Sequence, residues 1–263
     1  MPIAVQSYTI RYNVFDRKQV ESAYKRFNEM GYDGLENGLG RQFGYSVEEE
    51  LELLAKYNLR VCDVGGDYTK PDEAMKLAEK YGTKYLFGPH MTGPMMITAD
   101  GVNAFIEQLN EAARPFAGTG YKLLYHNHAQ EFRNFTLLNG KSGYEILVEG
   151  ADPEVVCFQV DTFWTAASGA DPAYWIKRLK GRVPVVHFKD YAIDDQVQFP
   201  EIPQIPWRFA EIGQGNINWA AVSEACREAG VEWYSVEQDY VRGDGFGCLK
   251  TSIDYMRNTL NIV

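Results

Sequence analysis

Histidine and acidic residues stand at the ends of the apolar runs in this sequence. All four histidines lie at or just beyond such an end: His90, His126, His128 and His187. Acidic residues occupy the same kind of position elsewhere: Glu36, Asp67, Asp161 and Glu237. These residue types are the ligands of divalent metal sites that keep one position open for a substrate. Histidines scattered over a surface would not follow strand ends, so the pattern indicates a shared metal or substrate site.

The apolar runs and the segments between them predict the scaffold that holds these residues. Strands are predicted over residues 3–8, 34–37, 60–64, 85–88, 122–126, 155–161, 183–188 and 233–237. Helices are predicted over residues 17–30, 46–57, 71–82, 99–117, 143–149, 172–179, 219–229 and 252–260. Strands that are apolar on both faces and alternate with helices indicate a parallel sheet covered by helices. This alternation along 263 residues predicts an α/β fold, a (β/α)8 TIM barrel, with residues 1–263 as a single domain.

A doubly wound open sheet is the competing architecture. It would ordinarily carry a glycine-rich phosphate loop after the first strand, and residues 8–12 do not form one. The least regular stretch is residues 191–215, which contains Pro200, Pro203 and Pro206. In a barrel this stretch is expected to form an extended loop after the seventh strand, on the face that carries the chemistry.

Three candidate ligands end consecutive predicted strands. Asp161, His187 and Glu237 follow the sixth, seventh and eighth strands, and in a barrel these ends meet at one face, so the three are predicted to share a divalent metal. Each also has a plain structural explanation, as a turn cap, a core histidine bonded to backbone, and the partner of an arginine. For Glu36 the sequence allows two roles, a substrate contact or a structural ion pair. For His90 it allows a substrate contact or a hydrogen bond within its loop.

Composition and charge exclude several classes of function. Lys and Arg number 26 against 36 Asp and Glu, so the net charge is -10 and nonspecific nucleic-acid binding is disfavoured. No run approaches the ~18 apolar residues that a membrane span needs, and residues 1–7 lack the pattern of a secretory signal. The four cysteines form no CxxC pair, which is typical of free thiols in a reducing compartment. A cytoplasmic protein with a small-molecule substrate is therefore expected.

Short motifs follow one another along nearly the whole chain. They are Gly34-Leu35-Glu36, His126-Asn127-His128 with Glu131-Phe132, Val160-Asp161-Thr162-Phe163-Trp164, His187-Phe188-Lys189-Asp190, Glu211-Ile212-Gly213-Gln214-Gly215 and Ser235-Val236-Glu237. Each is weak alone, but their order and spacing together resemble the sugar phosphate isomerase/epimerase family. That family belongs to the xylose-isomerase-like barrels, which also include endonuclease IV, inosose dehydratase and the ketose 3-epimerases.

The resemblance implies one divalent metal ion, with manganese expected and magnesium, cobalt or zinc as alternatives. Relatives hold it with a Glu, an Asp, a His and a second Glu, and the last three correspond to Asp161, His187 and Glu237. Where ketose epimerases carry the first Glu, this chain has His126-Asn127-His128. The fourth ligand is therefore open between His126 and Glu131. This departure also removes the base that ketose epimerases use on one face of the substrate.

The resemblance further implies an isomerase or epimerase of carbohydrate metabolism. It would act on a sugar, keto-sugar or sugar phosphate by abstracting a proton next to a carbonyl. Glu237 and His128 are the candidate bases, and Lys189 is expected to stabilise oxyanion charge or hold a phosphate. Trp164 is expected to stack on the sugar, with Glu36 and His90 as further substrate contacts.

Several alternatives stay open at the level of the sequence. A metal-dependent dehydratase or lyase of the inosose dehydratase type is the first, since the same proton abstraction can lead to loss of a hydroxyl. An enzyme similar to endonuclease IV is disfavoured by the negative charge and by the small number of histidines. A barrel that only binds sugar is the non-enzymatic alternative. Barrels of this family often pair through their helices, so a homo-oligomer is a further alternative.

Overall fold

The scaffold is an α/β barrel, and the computed structural model describes it over residues 1–91, 95, 98–133, 140–193 and 207–263. The strands are β1 (Ile3–Val5), β2 (Gly34–Leu35), β3 (Arg60–Val61), β4 (Tyr85–Phe87), β5 (Lys122–His126), β6 (Val156–Asp161), β7 (Val185–Phe188), β8 (Asp190–Ile193), β9 (Trp207–Ala210) and β10 (Trp233–Val236). Within the described residues, eight of them form one sheet in the order β3-β2-β1-β10-β7-β6-β5-β4, with parallel pairing throughout. A bridge between Val64 and Leu86 joins the two outer strands. The predicted TIM barrel is confirmed.

Helices follow the barrel strands and cover the sheet. They are α1 (Arg17–Met30), α2 (Val47–Lys56), α3 (Pro71–Tyr81), α4 (Ala99–Ala113), α5 (Gly143–Gly150), α6 (Thr162–Ala167), α7 (Pro172–Arg178), α8 (Trp219–Ala229) and α9 (Gly245–Asn258). Helix α1 begins at the predicted residue, and Asp16 caps it by accepting a hydrogen bond from the Gln19 amide. A capping box formed by Ser46 and Glu49 opens α2. None of the helices in the described ranges is long and apolar enough to cross a membrane.

Alternation along the strands sends every second side chain into the barrel. One buried cluster is built from one residue at each of seven strands: Ala4, Cys62, Tyr85, Leu124, Cys157, Val185 and Trp233. This apolar layer fills the barrel toward the strand starts. Gln159 of β6 and His187 of β7 follow Cys157 and Val185 by two residues. Their side chains therefore also point into the barrel, one layer closer to the carboxyl ends of the strands. Polar side chains in the upper barrel therefore follow from the strand period, with an apolar plug beneath them.

Prolines shorten two of the predicted elements. The strand predicted over residues 183–188 pairs only from Val185 as β7, because Pro184 has no N–H to donate. Pro115 ends α4 early, and residues Arg114–Phe116 form a 3-10 turn instead. The extended loop predicted over residues 191–215 contains part of the β8–β9 ribbon, which is antiparallel. Its proline-containing part, with Pro200, Pro203 and Pro206, lies outside the described residues.

Asp190 anchors the chain that follows the ribbon. Its buried carboxylate accepts hydrogen bonds from the amides of Tyr191, Gly213, Gly215 and Ile217 and from the Trp219 indole. A Cβ at Gly215 would lie 2.3 Å from Asp190 Oδ1, so only glycine permits this approach. The Glu211–Gly215 motif is thus explained by loop architecture.

Asp190→Asn should destabilise the protein, because an amide nitrogen would face several of these donors. Hydrogen bonds to a charged group contribute ~1.5–3 kcal/mol each, so we expect the free energy of unfolding to fall by at least about 1.5 kcal/mol. Urea denaturation measures it. The control is Glu107→Gln at an exposed carboxylate of α4, expected within about 0.5 kcal/mol of wild type. Equal stability of both variants would contradict the anchoring role.

A second buried carboxylate joins the first three helices. Glu50 of α2 is fully buried and accepts hydrogen bonds from the Tyr24 hydroxyl of α1 and the Tyr81 hydroxyl of α3. The Gly40 amide, in the 3-10 turn Gly40–Phe43, donates to the same carboxylate. The carboxylate is therefore fully engaged, as a buried charge requires.

Candidate metal centre

The carboxyl ends of the barrel strands surround a cavity of about 590 Å³. Seven of the residues singled out from the sequence line it: His90, His126, His128, Trp164, His187, Lys189 and Glu237. A larger cavity of about 760 Å³ lies at the strand starts, where Lys84 and Glu232 pair with each other. Barrel chemistry is built on the carboxyl face, so we place the candidate site in the smaller cavity.

Three side chains bring ligand atoms together at the carboxyl ends of the strands that surround this cavity. His126 ends β5, Asp161 ends β6 and His187 lies in β7, and their ligand atoms are within 4.8 Å of one another. Among the described residues, His126 Nδ1, Asp161 Oδ2 and His187 Nδ1 are buried without a hydrogen-bond partner. Two of these atoms lie near charged groups instead, His187 Nδ1 at 3.0 Å from Glu237 Oε2 and Asp161 Oδ2 at 3.4 Å from Lys189 Nζ. The convergence of the three ligand atoms fits a divalent cation. Two imidazoles and a carboxylate are suitable donors for it.

His187 is held from both sides. Its Nε2 lies 2.7 Å from Glu36 Oε1, while Nδ1 lies 3.0 Å from Glu237 Oε2 and 3.7 Å from Asp161 Oδ2. Burial alone lowers the pKa of His187, but Glu36 and Glu237 outweigh it and raise the pKa well above its usual value. A carboxylate behind a ligating histidine fixes its tautomer. With the Nε2 proton directed at Glu36, a cation that binds Nδ1 takes the place of the proton that the raised pKa keeps there.

Glu36 therefore lies beneath the ligand cluster rather than in contact with the cavity. It is fully buried, and its oxygens also accept hydrogen bonds from Gln6 Nε2 at 2.6 Å and Gln159 Nε2 at 3.2 Å. The structure thus favours a positioning role over the predicted substrate contact. Asp63 stands beside this group, and burial together with Glu36 raises the pKa of Asp63 well above its usual value.

His126 supplies the neutral imidazole of the cluster. Burial lowers the pKa of His126 well below its usual value, and His187 and His128 lower it further. Its ring centroid lies 4.6 Å from that of His187 and 4.8 Å from that of His128. An unprotonated histidine needs to lose no proton before it binds a cation. Its position beside Asp161 and His187 favours His126 as the fourth ligand.

Glu131, the other candidate for that place, is directed elsewhere. Its Oε1 accepts a hydrogen bond from the Tyr125 hydroxyl at 2.9 Å, and its Oε2 accepts one from the His128 amide at 3.0 Å. Both oxygens are therefore engaged, and the carboxylate braces the turn that carries His128. Glu131 is not among the residues brought to the ligand cluster.

Glu237 completes the acidic side of the cluster. Its Oε2 lies 3.0 Å from Lys189 Nζ, and Lys189 is also 3.4 Å from Asp161 Oδ2 and 2.7 Å from Asp239 Oδ1. Burial alone raises the pKa of Glu237, but Lys189 and His187 reverse this and hold the pKa well below its usual value. Glu237 is therefore ionised. For Lys189, burial works to lower the pKa, and the surrounding carboxylates raise it, so the ammonium stays charged.

The remaining predicted residues form the cavity wall. The ring of His128 lies 5.5 Å from that of Trp164, and His90 is exposed at the mouth. The protein atoms packed around the partly exposed ring of His90 displace water from it and lower its pKa, and His128 adds to this effect. These three side chains are placed to contact a bound molecule.

Asp239 and Gln159 belong to the site but were not predicted. Both lie two residues from a predicted ligand, Glu237 and Asp161 respectively, and both line the cavity. The two-residue alternation of side chains along a strand was the signal that could have identified these two residues.

Glu36→Gln should weaken binding of a divalent cation, because a glutamine can donate to His187 Nε2 and so move the ring proton onto Nδ1. Loss of such an outer partner typically costs 10–100-fold in metal affinity. Calorimetric titration with Mn²⁺ or Zn²⁺ measures the effect. The matched control is Glu131→Gln, another buried glutamate, for which we expect affinity close to wild type. The opposite ranking would restore Glu131 as the fourth ligand.

Comparison with known proteins places the chain among related barrels. The sequence profile described as xylose isomerase-like TIM barrel matches residues 24–259. Among curated proteins the chain is similar to an inosose dehydratase of Lacticaseibacillus casei, with 26% identity over 167 residues, which cover 60% of this chain and 53% of that protein. The chain thus spans about half the length of this curated relative.

Solved structures show the same barrel. A sugar phosphate isomerase/epimerase from Parabacteroides distasonis superposes with a TM-score of 0.76 at 19% identity, covering 98% of this chain and 94% of that chain. The IOLI protein, crystallised with a zinc atom, gives a TM-score of 0.64 at 16% identity, covering 98% and 97%. At these identities the likeness establishes the fold alone.

Proposed function

Because the chain belongs to the xylose isomerase-like TIM barrel family, we propose that it is a divalent-metal-dependent isomerase or epimerase. It moves a proton at the carbon next to the carbonyl of a sugar, keto-sugar or sugar phosphate. The observation that carries this proposal is the meeting of three ligand atoms, from His126, Asp161 and His187, within 4.8 Å of one another at the carboxyl ends of the strands. The single-domain organisation of residues 1–263 and the cytoplasmic location stay predictions.

His126, Asp161, His187 and Glu237 would hold the metal ion. When bound, the ion polarises a carbonyl and so acidifies the neighbouring C–H. Manganese remains the predicted ion, and the zinc atom in the IOLI structure supports a transition metal in this kind of barrel. Two imidazoles among the ligands are compatible with either ion.

The protein's own part in the reaction is to bind, orient and exchange protons. Trp164 offers an aromatic face on which the apolar side of a sugar ring can pack. Glu237 or His128 accepts the proton, since both line the cavity and a base must lie within hydrogen-bond reach of the proton it takes. The Lys189 ammonium stabilises the negative charge that develops on the substrate oxygen.

Dehydration of a keto-sugar or inosose is the second candidate. It is favoured by His126, which stands where ketose epimerases carry a glutamate and so leaves one substrate face without that base. The curated relative is also an inosose dehydratase. In this reaction Lys189 can protonate the departing hydroxyl, because its ammonium is held inside the cavity.

A panel of keto-sugars and inososes incubated with the protein and Mn²⁺ in deuterated water tests both candidates. NMR locates solvent deuterium in the product, and mass spectrometry reports whether water has been lost. Deuterium without loss of water supports isomerisation or epimerisation, and loss of water supports dehydration. Binding of a sugar without any exchange would instead identify a non-catalytic sugar-binding barrel and overturn the proposal.

A further inference from the structure

Lys189 lies among the oxygen atoms that the proposed metal site requires. Its Nζ is 3.0 Å from Glu237 Oε2 and 3.4 Å from Asp161 Oδ2, and these two oxygens are the acidic ligands of the site. The lysine side chain is only 2% exposed, so its charge depends on these carboxylates. The ammonium neutralises the oxygens that a divalent cation would use.

Asp239 gives the same ammonium a third partner. Its Oδ1 lies 2.7 Å from Nζ, the shortest of the three contacts, and its side chain is 16% exposed at the cavity. Asp239 is not part of the cluster of ligand atoms formed by His126, Asp161 and His187. It can therefore keep Lys189 paired when the other two carboxylates are taken.

Two cations at these oxygens repel each other strongly. Coulomb repulsion is large at separations of a few ångström when burial excludes water. The aromatic rings of Phe163, Trp164 and Phe209 lie 5.9, 5.2 and 5.4 Å from Nζ, so the ammonium has little solvent to screen it. Lys189 and a divalent ion thus compete for Asp161 and Glu237.

We propose that Lys189 is a tethered competitor of the metal ion, and that Asp239 holds its ammonium when a divalent cation takes over Asp161 and Glu237. This inference rests on the proposed function, because it concerns the same metal site. It also orders the binding events. Lys189 turns toward substrate only after the ion has displaced it from the two carboxylates.

Calorimetric titration with Mn²⁺ tests the competition. Lys189→Met keeps the length of the side chain and removes its charge, and we expect it to bind Mn²⁺ roughly 5- to 150-fold more tightly than wild type, the usual range for coupled sites. The matched control is Lys84→Met, which removes the same charge from a pair with Glu232 at the opposite end of the barrel. It should bind Mn²⁺ as wild type does. Lys189→Gln serves as a second variant if the methionine variant fails to fold.

A double-mutant cycle separates this proposal from a simple effect of net charge. Asp239→Asn alone should weaken Mn²⁺ binding, because Lys189 would then have no partner other than the two ligating carboxylates. In the Lys189→Met background the same change should have little effect, since Asp239 acts through Lys189. An undiminished effect of Asp239→Asn in that background would show that Asp239 acts directly on the ion, and the proposal would fail.

Amine labelling of the wild-type protein gives an independent readout. Acetic anhydride should modify Lys189 slowly without metal and several-fold faster with saturating Mn²⁺, measured by peptide mass spectrometry with Lys84 as internal reference. Unchanged labelling together with unchanged affinity in Lys189→Met would overturn the inference and leave the metal site intact. Failure of the wild-type protein to bind Mn²⁺ or Zn²⁺ would overturn the proposed function as well.

Discussion

Asp161→Asn should abolish tight binding of a divalent cation while leaving the barrel folded. Asp161 has two separate tasks, because Oδ1 caps α6 by accepting from the Trp164 amide at 2.8 Å, while Oδ2 belongs to the ligand cluster and lies 3.4 Å from Lys189 Nζ. Asparagine keeps the cap oxygen and loses the charge. Elemental analysis after dialysis should therefore show metal in the wild type and none in the variant, with unchanged circular dichroism.

The control is Asp171→Asn, because Asp171 caps the neighbouring helix α7 in the same way, through the Ala173 amide. This variant should keep its metal. Asp161→Ala should lose metal and also the cap, which costs a further ~0.5–2 kcal/mol of stability. Full metal occupancy in Asp161→Asn would remove the central member of the proposed ligand set.

Glu237→Gln and His128→Asn should each slow turnover by about 100- to 10,000-fold, the usual cost of removing a general base. If one base serves both steps, deuterium incorporation from solvent disappears in a single variant. If two bases work on opposite faces, each variant keeps exchange at one face. NMR of the product in deuterated water distinguishes these outcomes, with Mn²⁺ content measured in parallel because Glu237 is also a proposed ligand.

His90→Asn is the matched control for His128, since both histidines line the cavity wall. A residue that only contacts substrate should raise KM more than it lowers kcat, and we expect this of His90. Normal exchange in both the Glu237 and the His128 variants would eliminate the mechanism.

The ligand cluster could be predicted from the sequence because strand ends converge in any barrel. His126, Asp161 and His187 needed only the strand boundaries and the period of two. The depth of a side chain within the barrel was not predictable. Glu36 has the residue type of a substrate contact, but it lies below His187 and serves that ring. Glu131 follows the fifth strand as expected, and its turn directs the carboxylate back toward Tyr125.

Short and irregular elements were also missed for physical reasons. Helix α6, Thr162–Ala167, is too brief to show a helical period. Helix α9 begins at Gly245, seven residues before the predicted start, because Gly245 and Gly247 disfavour a helix on propensity and are outweighed by packing. Asp239 stayed unnoticed because its importance comes from a contact with Lys189, 50 positions away in the chain. Residues so far apart in the chain come into contact only when the strands close into the barrel.

The buried carboxylate of Glu50 has a consequence for local opening of the protein. Its partners lie on α1 and α3, and its own helix is α2, so unfolding any one of these helices leaves a charge or a hydroxyl buried without a partner. Such a penalty makes separate fraying of the three helices unfavourable. They should therefore open together as one cooperative unit, and their backbone amides should show similar protection against hydrogen exchange.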